Sequence, residues 1–240
     1  MTRGDSRRSL PLTPSRGGND KGRKGGWGAR DPFFRQAKAQ GYAARSVFKL
    51  QQLDARFGLV RPRDRVLDLG CAPGSWLQYL SRRLDAARGC AVGVDLQAVK
   101  VGKLGAHVHV LRADVHDVTA SALLATGTPD SAPRAFDAVL SDMAPATCGV
   151  KLVDQQRSLE LCERALRLAQ EVLRPGGRLC VKVFEGDGLR DYRHRCARLF
   201  RRVSLHRPEA TKSASKEIYV VALEFLPPRE RGIIQGLAVL

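Results

Sequence analysis

A glycine-containing turn in this chain has the residue types and spacing that a nucleoside-binding site requires. The turn reads Asp68-Leu-Gly-Cys-Ala-Pro-Gly-Ser-Trp76 and follows an apolar segment. Its small residues let a ligand approach the backbone, and a helix predicted from about Ser75 would direct free amides at that ligand. Dinucleotide-binding proteins show GxGxxG, whereas this turn has GxxxG and a proline. The pattern therefore favours a nucleoside with an amino-acid tail, such as S-adenosylmethionine.

Two acidic residues support this interpretation. Asp95 ends the next apolar segment, at about the distance from the turn at which a carboxylate accepts the ribose hydroxyls of a nucleoside. Asp114 follows a third apolar segment and could accept the exocyclic amine of adenine. Either residue alone is more often a turn residue or a helix cap. The turn and both acids together predict an adenosyl ligand.

A second group of residues combines two lysines with two carboxylates. Lys182 lies near the end of the apolar segment Val181-Lys-Val-Phe184, where an unpaired buried ammonium would be costly, although its chain could extend to solvent. Asp142 follows a fourth apolar segment, and Glu217 lies at the start of the last apolar segment predicted as a strand. Lys49 lies on an N-terminal amphipathic segment that could fold over the same sheet edge. We expect these four side chains to converge beside the methyl donor.

Such a cluster suits methyl transfer to a sugar hydroxyl. A hydroxyl is a poor nucleophile until its proton is removed or directed away. A partly desolvated Lys next to another cation loses its proton more readily and can act as a base. Asp142 and Glu217 would then orient the base and stabilise charge.

Apolar and helical segments alternate along the chain and predict the elements that position these residues. Strands are predicted at 65–69, 91–95, 108–111, 136–141, 178–183, 202–206 and 218–225. Helices are predicted at 43–57, 75–87, 98–103, 118–125, 154–173 and 189–199. The connection between the last two strands is too short for a helical crossover, so the last strand should pair antiparallel. The expected fold is a doubly wound, Rossmann-like α/β sheet of seven mostly parallel strands with helices on both faces.

The charge of the chain favours nucleic acid as its partner. Its 240 residues carry a formal net charge of +17, and residues 1–60 alone hold 13 basic against 4 acidic groups. Positive charge that flanks a nearly neutral middle is typical of a polyanion-binding surface. Residues 1–30 are rich in Arg, Gly and Ser and poor in apolar residues, so a flexible basic tail is expected there. We expect a methyltransferase domain over 31–226, with an N-terminal helical segment facing RNA, and a second tail over 227–240.

Other features restrict the class of protein. The six cysteines form no CxxC pair and share no ligand spacing with the five histidines, so reduced thiols and no metal site are expected. The sequence has neither a long apolar run nor a signal peptide, which predicts a cytoplasmic protein without a membrane segment. We expect it to be a monomer.

Taken in order, these motifs resemble the RrmJ/FtsJ (RlmE) family of ribosomal RNA ribose 2′-O-methyltransferases over residues 31–225. The resemblance rests on Gly41-Tyr-Ala-Ala-Arg-Ser-Val-Phe-Lys49, the glycine turn, Ser141-Asp-Met-Ala-Pro, Val181-Lys-Val-Phe-Glu-Gly and Ser215-Lys-Glu-Ile-Tyr, with departures at Ala43, Ala44 and Phe48. It implies a catalytic tetrad of Lys49, Asp142, Lys182 and Glu217. It also implies that S-adenosyl-L-methionine binds at Gly74, Trp76, Asp95, Asp114 and Asp142.

The resemblance further implies a substrate: a uridine ribose of large-subunit (23S) ribosomal RNA, presented within the assembling large ribosomal subunit. A tRNA ribose 2′-O-methyltransferase is the nearest alternative, since such relatives share the tetrad. A dinucleotide-dependent oxidoreductase is disfavoured because GxGxxG is absent. A non-catalytic basic assembly factor is disfavoured because the tetrad is complete.

Overall fold

The computed structural model describes residues 31–127 and 134–230, together with Met1. The first tail (1–30) and most of the second (227–240) therefore lie outside the described residues. Six α-helices are present in the described part: α1 (Pro32–Ala39), α2 (Val47–Phe57), α3 (Ser75–Arg83), α4 (Ala120–Ala125), α5 (Lys151–Val172) and α6 (Gly188–Ala197). Seven strands accompany them: β1 (Arg65–Leu69), β2 (Cys90–Asp95), β3 (Val108–Arg112), β4 (Phe136–Ser141), β5 (Leu173–Phe184), β6 (Phe200–His206) and β7 (Glu217–Phe225).

The strands form one sheet in the order β3-β2-β1-β4-β5-β7-β6. β1 to β5 run parallel, whereas β7 lies between β5 and β6 and is antiparallel to both. The predicted mostly parallel sheet with an antiparallel last strand is thereby confirmed. Strand order reverses beside β1, where β2 lies on one side and β4 on the other. Open α/β sheets bind ligands at such a switch point, beyond the carboxyl ends of the strands.

Each face of the sheet is covered by helices. One hydrophobic core joins the sheet to α5 and α6 and includes Leu67, Leu166 and Tyr192. The other joins it to α2 and α3 and includes Leu50 and Leu77. Because side chains alternate along a strand, β1 contributes Leu67 and Leu69 to the first core and Val66 to the second. Helices on both faces are the reason that most residues of the central strands are apolar and buried.

One predicted helix is absent: residues 98–103 form no helix and connect β2 to β3 as a loop. Here Val99 and Val101 both lie against Gly74, whose missing Cβ would come within 2.7 Å of Val101. The amide of Lys100 donates to the carbonyl of Pro73 at 2.9 Å. A two-residue spacing of contacts is that of extended chain, which the short apolar pattern did not distinguish from a helix.

Other helices begin or end a few residues away from their predicted bounds. α2 begins at Val47 rather than 43, because Gln78 accepts the Ala43 amide at 2.8 Å and holds the preceding segment outside the helix. α3 ends at Arg83, four residues early, and α5 starts three residues early. α5 also ends at Val172, one residue before its predicted end and three residues before the Pro175-Gly-Gly177 segment. That segment lies within β5, whose register against β4 shifts there.

The buried guanidinium of Arg65 anchors the sheet at the amino end of β1. It donates to the carbonyls of Leu123 (2.9 Å), Leu124 (3.1 Å), Thr126 (2.6 Å) and Arg134 (2.7 Å). Its carbon also lies 4.4 Å from the ring centroid of Phe136. Arg65 therefore ties the loops after α4 and before β4 to the sheet, at the end remote from the glycine turn.

Candidate active site

A cavity of about 500 Å³ opens at the carboxyl ends of β1, β2, β3 and β4. Three predicted site residues line it: Asp95 at the end of β2, Asp114 after β3 and Asp142 after β4. Gly70 and Ala72 of the glycine turn form another part of its wall. The volume is in the range of small-molecule sites. The sheet therefore brings three acids from separate parts of the chain to one ligand-sized cavity.

The Asp95 carboxylate is held in place by two backbone amides. Ala72 donates to its Oδ2 at 2.9 Å, and Gln97 donates to its Oδ1 at 2.7 Å. A carboxylate has about four acceptor positions, so two remain for a ligand. Both retained bonds fix the carboxylate relative to the glycine turn. Asp95 is thus placed to accept a pair of neighbouring hydroxyls.

Asp114 presents a similar but less saturated carboxylate. Its Oδ1 accepts the amide of His116 at 2.9 Å, and its Oδ2 has no hydrogen bond within the described residues. Because Asp114 and Asp95 line the same cavity, one ligand can contact both. A carboxylate with one free oxygen suits an amine donor such as the exocyclic amine of adenine.

Lys182 and Asp142 form a buried ion pair beside this cavity. Lys182 is 5% exposed, and its Nζ lies 2.9 Å from Asp142 Oδ1 and 2.6 Å from the Asp142 carbonyl oxygen. Tyr219 donates its hydroxyl to the same Oδ1 at 2.7 Å. The register of β5 and β7 explains the meeting, since Lys182 lies opposite Tyr219. Lys182 is therefore buried and paired, and it does not extend to solvent.

The other two side chains of the predicted cluster, Lys49 and Glu217, also form an ion pair. The Lys49 Nζ on α2 lies 2.5 Å from Glu217 Oε2 at the start of β7. Burial tends to raise the pKa of Asp142, but the positive charges of Lys182 and Lys49 outweigh it and lower that pKa. Asp142 is accordingly ionised at neutral pH. The four side chains expected to converge do so, as two neighbouring ion pairs.

Gly74 and Trp76 have a different setting. Gly74 begins α3 with φ of 118° and packs against the 98–103 loop. The Trp76 indole is buried and donates to the Ser46 carbonyl at 2.9 Å, which ties α3 to the start of α2. Within the described part of the chain, neither residue lines the cavity that contains Asp95, Asp114 and Asp142. Their role in cofactor binding stays a prediction.

Asp68 is a buried acid within electrostatic reach of Asp142 and Asp95, and the sequence reasoning assigned it no role. It is completely buried in β1, and neither carboxylate oxygen has a hydrogen-bond partner in the described residues. Burial, together with the charges of Asp142 and Asp95, raises its pKa well above the ordinary value. Asp68 therefore favours its neutral form. An acid inside the apolar segment next to the glycine turn was the available signal.

Metal-ligand groups and membrane-spanning helices are both absent from the described residues. Across residues 31–127 and 134–230, no group of three His, Cys, Asp or Glu residues is arranged to hold a metal ion. None of the helices in this part of the chain combines the length and hydropathy needed to span a bilayer.

The sheet, its antiparallel β7 and the cavity at the switch point define a Rossmann-like methyltransferase. The same fold occurs in the crystal structure of a protein described as a ribosomal RNA methyltransferase from Plasmodium falciparum, with a TM-score of 0.66 at 24% identity, covering 77% of this chain and 99% of that one. Residues 42–225 match the family model described as FtsJ-like methyltransferase. The chain belongs to this family, and the predicted resemblance is confirmed.

Three similar curated proteins carry the name ribosomal RNA large subunit methyltransferase E. The protein from Sorangium cellulosum is 44% identical over 194 residues, covering 81% of this chain and 87% of its own. The protein from Bdellovibrio bacteriovorus is 41% identical over 194 residues, covering 81% and 96%. The protein from Methanothrix thermoacetophila is 39% identical over 211 residues, covering 88% and 79%. The prediction that the chain is a methyltransferase is thus confirmed.

Proposed function

We propose that this enzyme transfers a methyl group from S-adenosyl-L-methionine to the 2′-hydroxyl of a uridine ribose in large-subunit (23S) ribosomal RNA, within the assembling large ribosomal subunit. The names of the relatives support the RNA substrate. The observation that carries the reaction is the buried Lys182–Asp142 pair at the edge of an acid-lined cavity. The methyltransferase domain would span residues 31–226, and the predicted cytoplasmic location and monomeric state stay predictions.

The acids of the cavity fit this cofactor. Asp95 has two unused acceptor positions for ribose hydroxyls, and the free Oδ2 of Asp114 could accept the adenine amine. The neutral form of Asp68, favoured by burial, could pair with a polar group of the methionine part. When bound, S-adenosylmethionine supplies an activated methyl group. We propose that Gly74 and Trp76 contribute through the backbone at the start of α3.

Lys182 is the residue we assign to the proton of the substrate hydroxyl. Its amine has two acceptors, the carboxylate and the carbonyl of Asp142. A neutral amine would satisfy both with its two N–H groups and would keep its lone pair for the hydroxyl proton. Asp142 would fix the direction of that lone pair, and Tyr219 would fix Asp142. Alignment of the hydroxyl is expected to supply much of the rate.

Lys49 and Glu217 form the outer half of this arrangement. Lys49 adds a second positive charge near Asp142 and, together with Lys182, lowers the pKa of that carboxylate. Glu217 holds Lys49 through their 2.5 Å contact and keeps α2 over the sheet edge. We therefore assign Lys49, Asp142 and Glu217 to orientation and charge, and Lys182 to proton removal. The basic residues 1–30 would add RNA affinity outside the site.

The test is single-turnover transfer of labelled methyl to large ribosomal particles under saturating cofactor and particle. Lys182→Ala should lower the rate about 10²–10⁴-fold, as loss of a general base does, while cofactor affinity and folding stay close to normal. Lys182→Arg should not restore it, because guanidinium stays protonated. Lys216→Ala, an exposed lysine beside Glu217, is the matched control and should keep the wild-type rate. A folded Lys182→Ala enzyme with near-normal transfer would contradict the assignment.

A further inference from the structure

A second concave surface lies beside the methyl-transfer site, and we call it the α1 groove. It encloses about 340 Å³ between α1, the segment leading to α2 and the 98–103 loop. The residues important here are Phe34, Lys38, Tyr42, Arg45, Lys100 and Gly102. It is separate from the larger cavity, with which it shares no lining residue. The proposed cofactor acids are therefore not part of it.

The wall of the α1 groove is rigid. Gln78 on α3 accepts the Ala43 amide at 2.8 Å and donates to the Gly41 carbonyl at 2.9 Å, so one side chain holds this loop from both sides. Tyr42 is covered by the guanidinium of Arg82, whose carbon lies 4.5 Å from the ring centroid. A surface held in this way pays little ordering entropy when a ligand binds. The groove is thus preformed.

Aromatic and basic side chains face the opening. Phe34 is 47% exposed, although its neighbour Phe33 packs on Phe48 with ring centroids 5.6 Å apart. Lys38 and Lys100 are exposed and have no ion pair within the described residues. Proteins hold single-stranded nucleic acid with such groups, because an exposed ring stacks on a base and unpaired cations in the same groove contact phosphate.

The α1 groove lies beside the proposed methyl-transfer site, and Arg45 and Lys100 link the two. Arg45 lines the groove and lies four residues before Lys49. Burial lowers the pKa of Arg45 and the charge of Glu217 opposes this, so Arg45 is within electrostatic reach of the outer ion pair. On the other side, the Lys100 amide is bonded to Pro73 of the glycine turn. A strand of RNA that enters the site past Lys49 would therefore pass over the groove.

We propose that the α1 groove binds a nucleotide of the RNA substrate that neighbours the methylated one. Phe34 stacks on its base, and Lys38 and Lys100 contact its phosphates. The inference rests on the proposed function, because it takes RNA as the substrate. It assigns to Phe34 and Lys100 a role in substrate affinity, separate from the chemistry at Lys182.

The test compares groove variants with matched controls outside the groove. Phe34→Ala and Lys100→Gln should each raise the KM for large ribosomal particles about tenfold, with kcat and S-adenosylmethionine affinity unchanged. Lys103→Gln removes the same charge three residues from Lys100 but outside the lining, and Leu205→Ala truncates an exposed apolar residue on β6. Both controls should stay within twofold of wild type. Equal KM values for groove variants and controls would overturn the proposal.

A third variant tests occupancy of the groove. A Cβ at Gly102 would meet no heavy atom within 4 Å, and its φ lies outside the left-handed region, so Gly102→Leu narrows the groove without strain. It should weaken binding of labelled large-subunit RNA fragments in fluorescence anisotropy by a similar factor. This assay needs no methyl transfer: wild-type enzyme that binds RNA but transfers no methyl would refute the proposed function. Unchanged RNA binding by Gly102→Leu would refute the groove.

Discussion

Replacing Tyr219 with Phe would test the contact that holds the Asp142 carboxylate of the Lys182–Asp142 pair in position. The buried hydroxyl donates to Asp142 Oδ1 at 2.7 Å, the same oxygen that contacts Lys182. Phe keeps the ring, which lies 6.4 Å from Trp76 between centroids, and removes only the hydroxyl. The substitution therefore isolates one hydrogen bond to a charged acceptor.

The expected losses of stability and of methyl-transfer rate follow from the charge of the Asp142 carboxylate that accepts this hydrogen bond. A hydrogen bond to a charged group contributes about 1.5–3 kcal/mol, so unfolding free energy should fall by about that amount and Tm by about 5–10 °C. Lys182 would lose part of its orientation, and methyl transfer should slow about tenfold, which corresponds to about 1.4 kcal/mol. The hydroxyl also helps to lower the pKa of Asp142, so that pKa should rise in Tyr219→Phe.

The sign of the pH effect can be worked out from Asp142. A carboxylate with a lowered native pKa contributes stability that is present above its unfolded pKa and is lost as pH falls through the native pKa. In Tyr219→Phe this loss should be smaller and should be complete at a higher pH than in wild type, because the native pKa of Asp142 moves closer to its unfolded value. Chemical denaturation between pH 3 and 7 would show the shift.

Tyr192→Phe is the matched control for Tyr219→Phe. Tyr192 is equally buried, but it donates to the neutral carbonyl of Cys162 at 3.1 Å and, within the described residues, has no hydrogen bond to the side chain of Asp142 or Lys182. It should lose only about 0.5–1.5 kcal/mol of stability and no transfer rate. If the two variants lose the same stability and Tyr219→Phe transfers methyl at the wild-type rate, the argument for Asp142 as the orienting group is wrong.

Three further changes should separate cofactor binding from stability. Asp95→Ala should weaken S-adenosylmethionine binding by about 1.5–3 kcal/mol in titration calorimetry, and unchanged affinity in a folded variant would exclude Asp95 as the ribose acceptor. Asp68 has a raised native pKa, so the stability that its neutral form contributes is present at low pH and is lost as pH rises. The Tm of Asp68→Asn should therefore increase relative to that of wild type more at pH 8 than at pH 5. A Tm difference that does not depend on pH would refute the neutral form of Asp68. Arg65→Lys offers three donors where four carbonyls now accept, so it should cost about 2–4 kcal/mol of unfolding free energy with unchanged cofactor affinity.

The sheet could be predicted because its strands are short apolar runs separated by turn residues. β1 and β4 matched their predicted bounds, since both are buried on two faces and their polar flanks are distinct. The 98–103 segment could not be assigned correctly, because Val99 and Val101 are compatible with either period over so few residues. Its conformation depends on Gly74, which is distant in sequence and adjacent only after folding.

The site was predictable where one residue broke a strong local pattern. Lys182 interrupts an apolar strand, and this anomaly indicated a buried functional amine. Tyr219 gave no such signal, because a tyrosine in a strand is ordinary and its contact with Asp142 depends on the β5–β7 register. The α1 groove was equally hidden, since it requires Gln78 to hold a loop 35 residues away in sequence.

The position of β7 determines when during synthesis the enzyme can become active. β6 pairs with β7 and not with β5, so the sheet beyond β5 is absent until β7 enters between them. Glu217 and Tyr219 arrive with that strand, whereas Lys49 is made much earlier. A nascent chain that has folded only through β5 would hold the acids proposed to bind the cofactor but neither Tyr219 for Asp142 nor Glu217 for Lys49. Cofactor binding could therefore precede catalytic competence during translation, and closure of the sheet would be the step that switches the chemistry on.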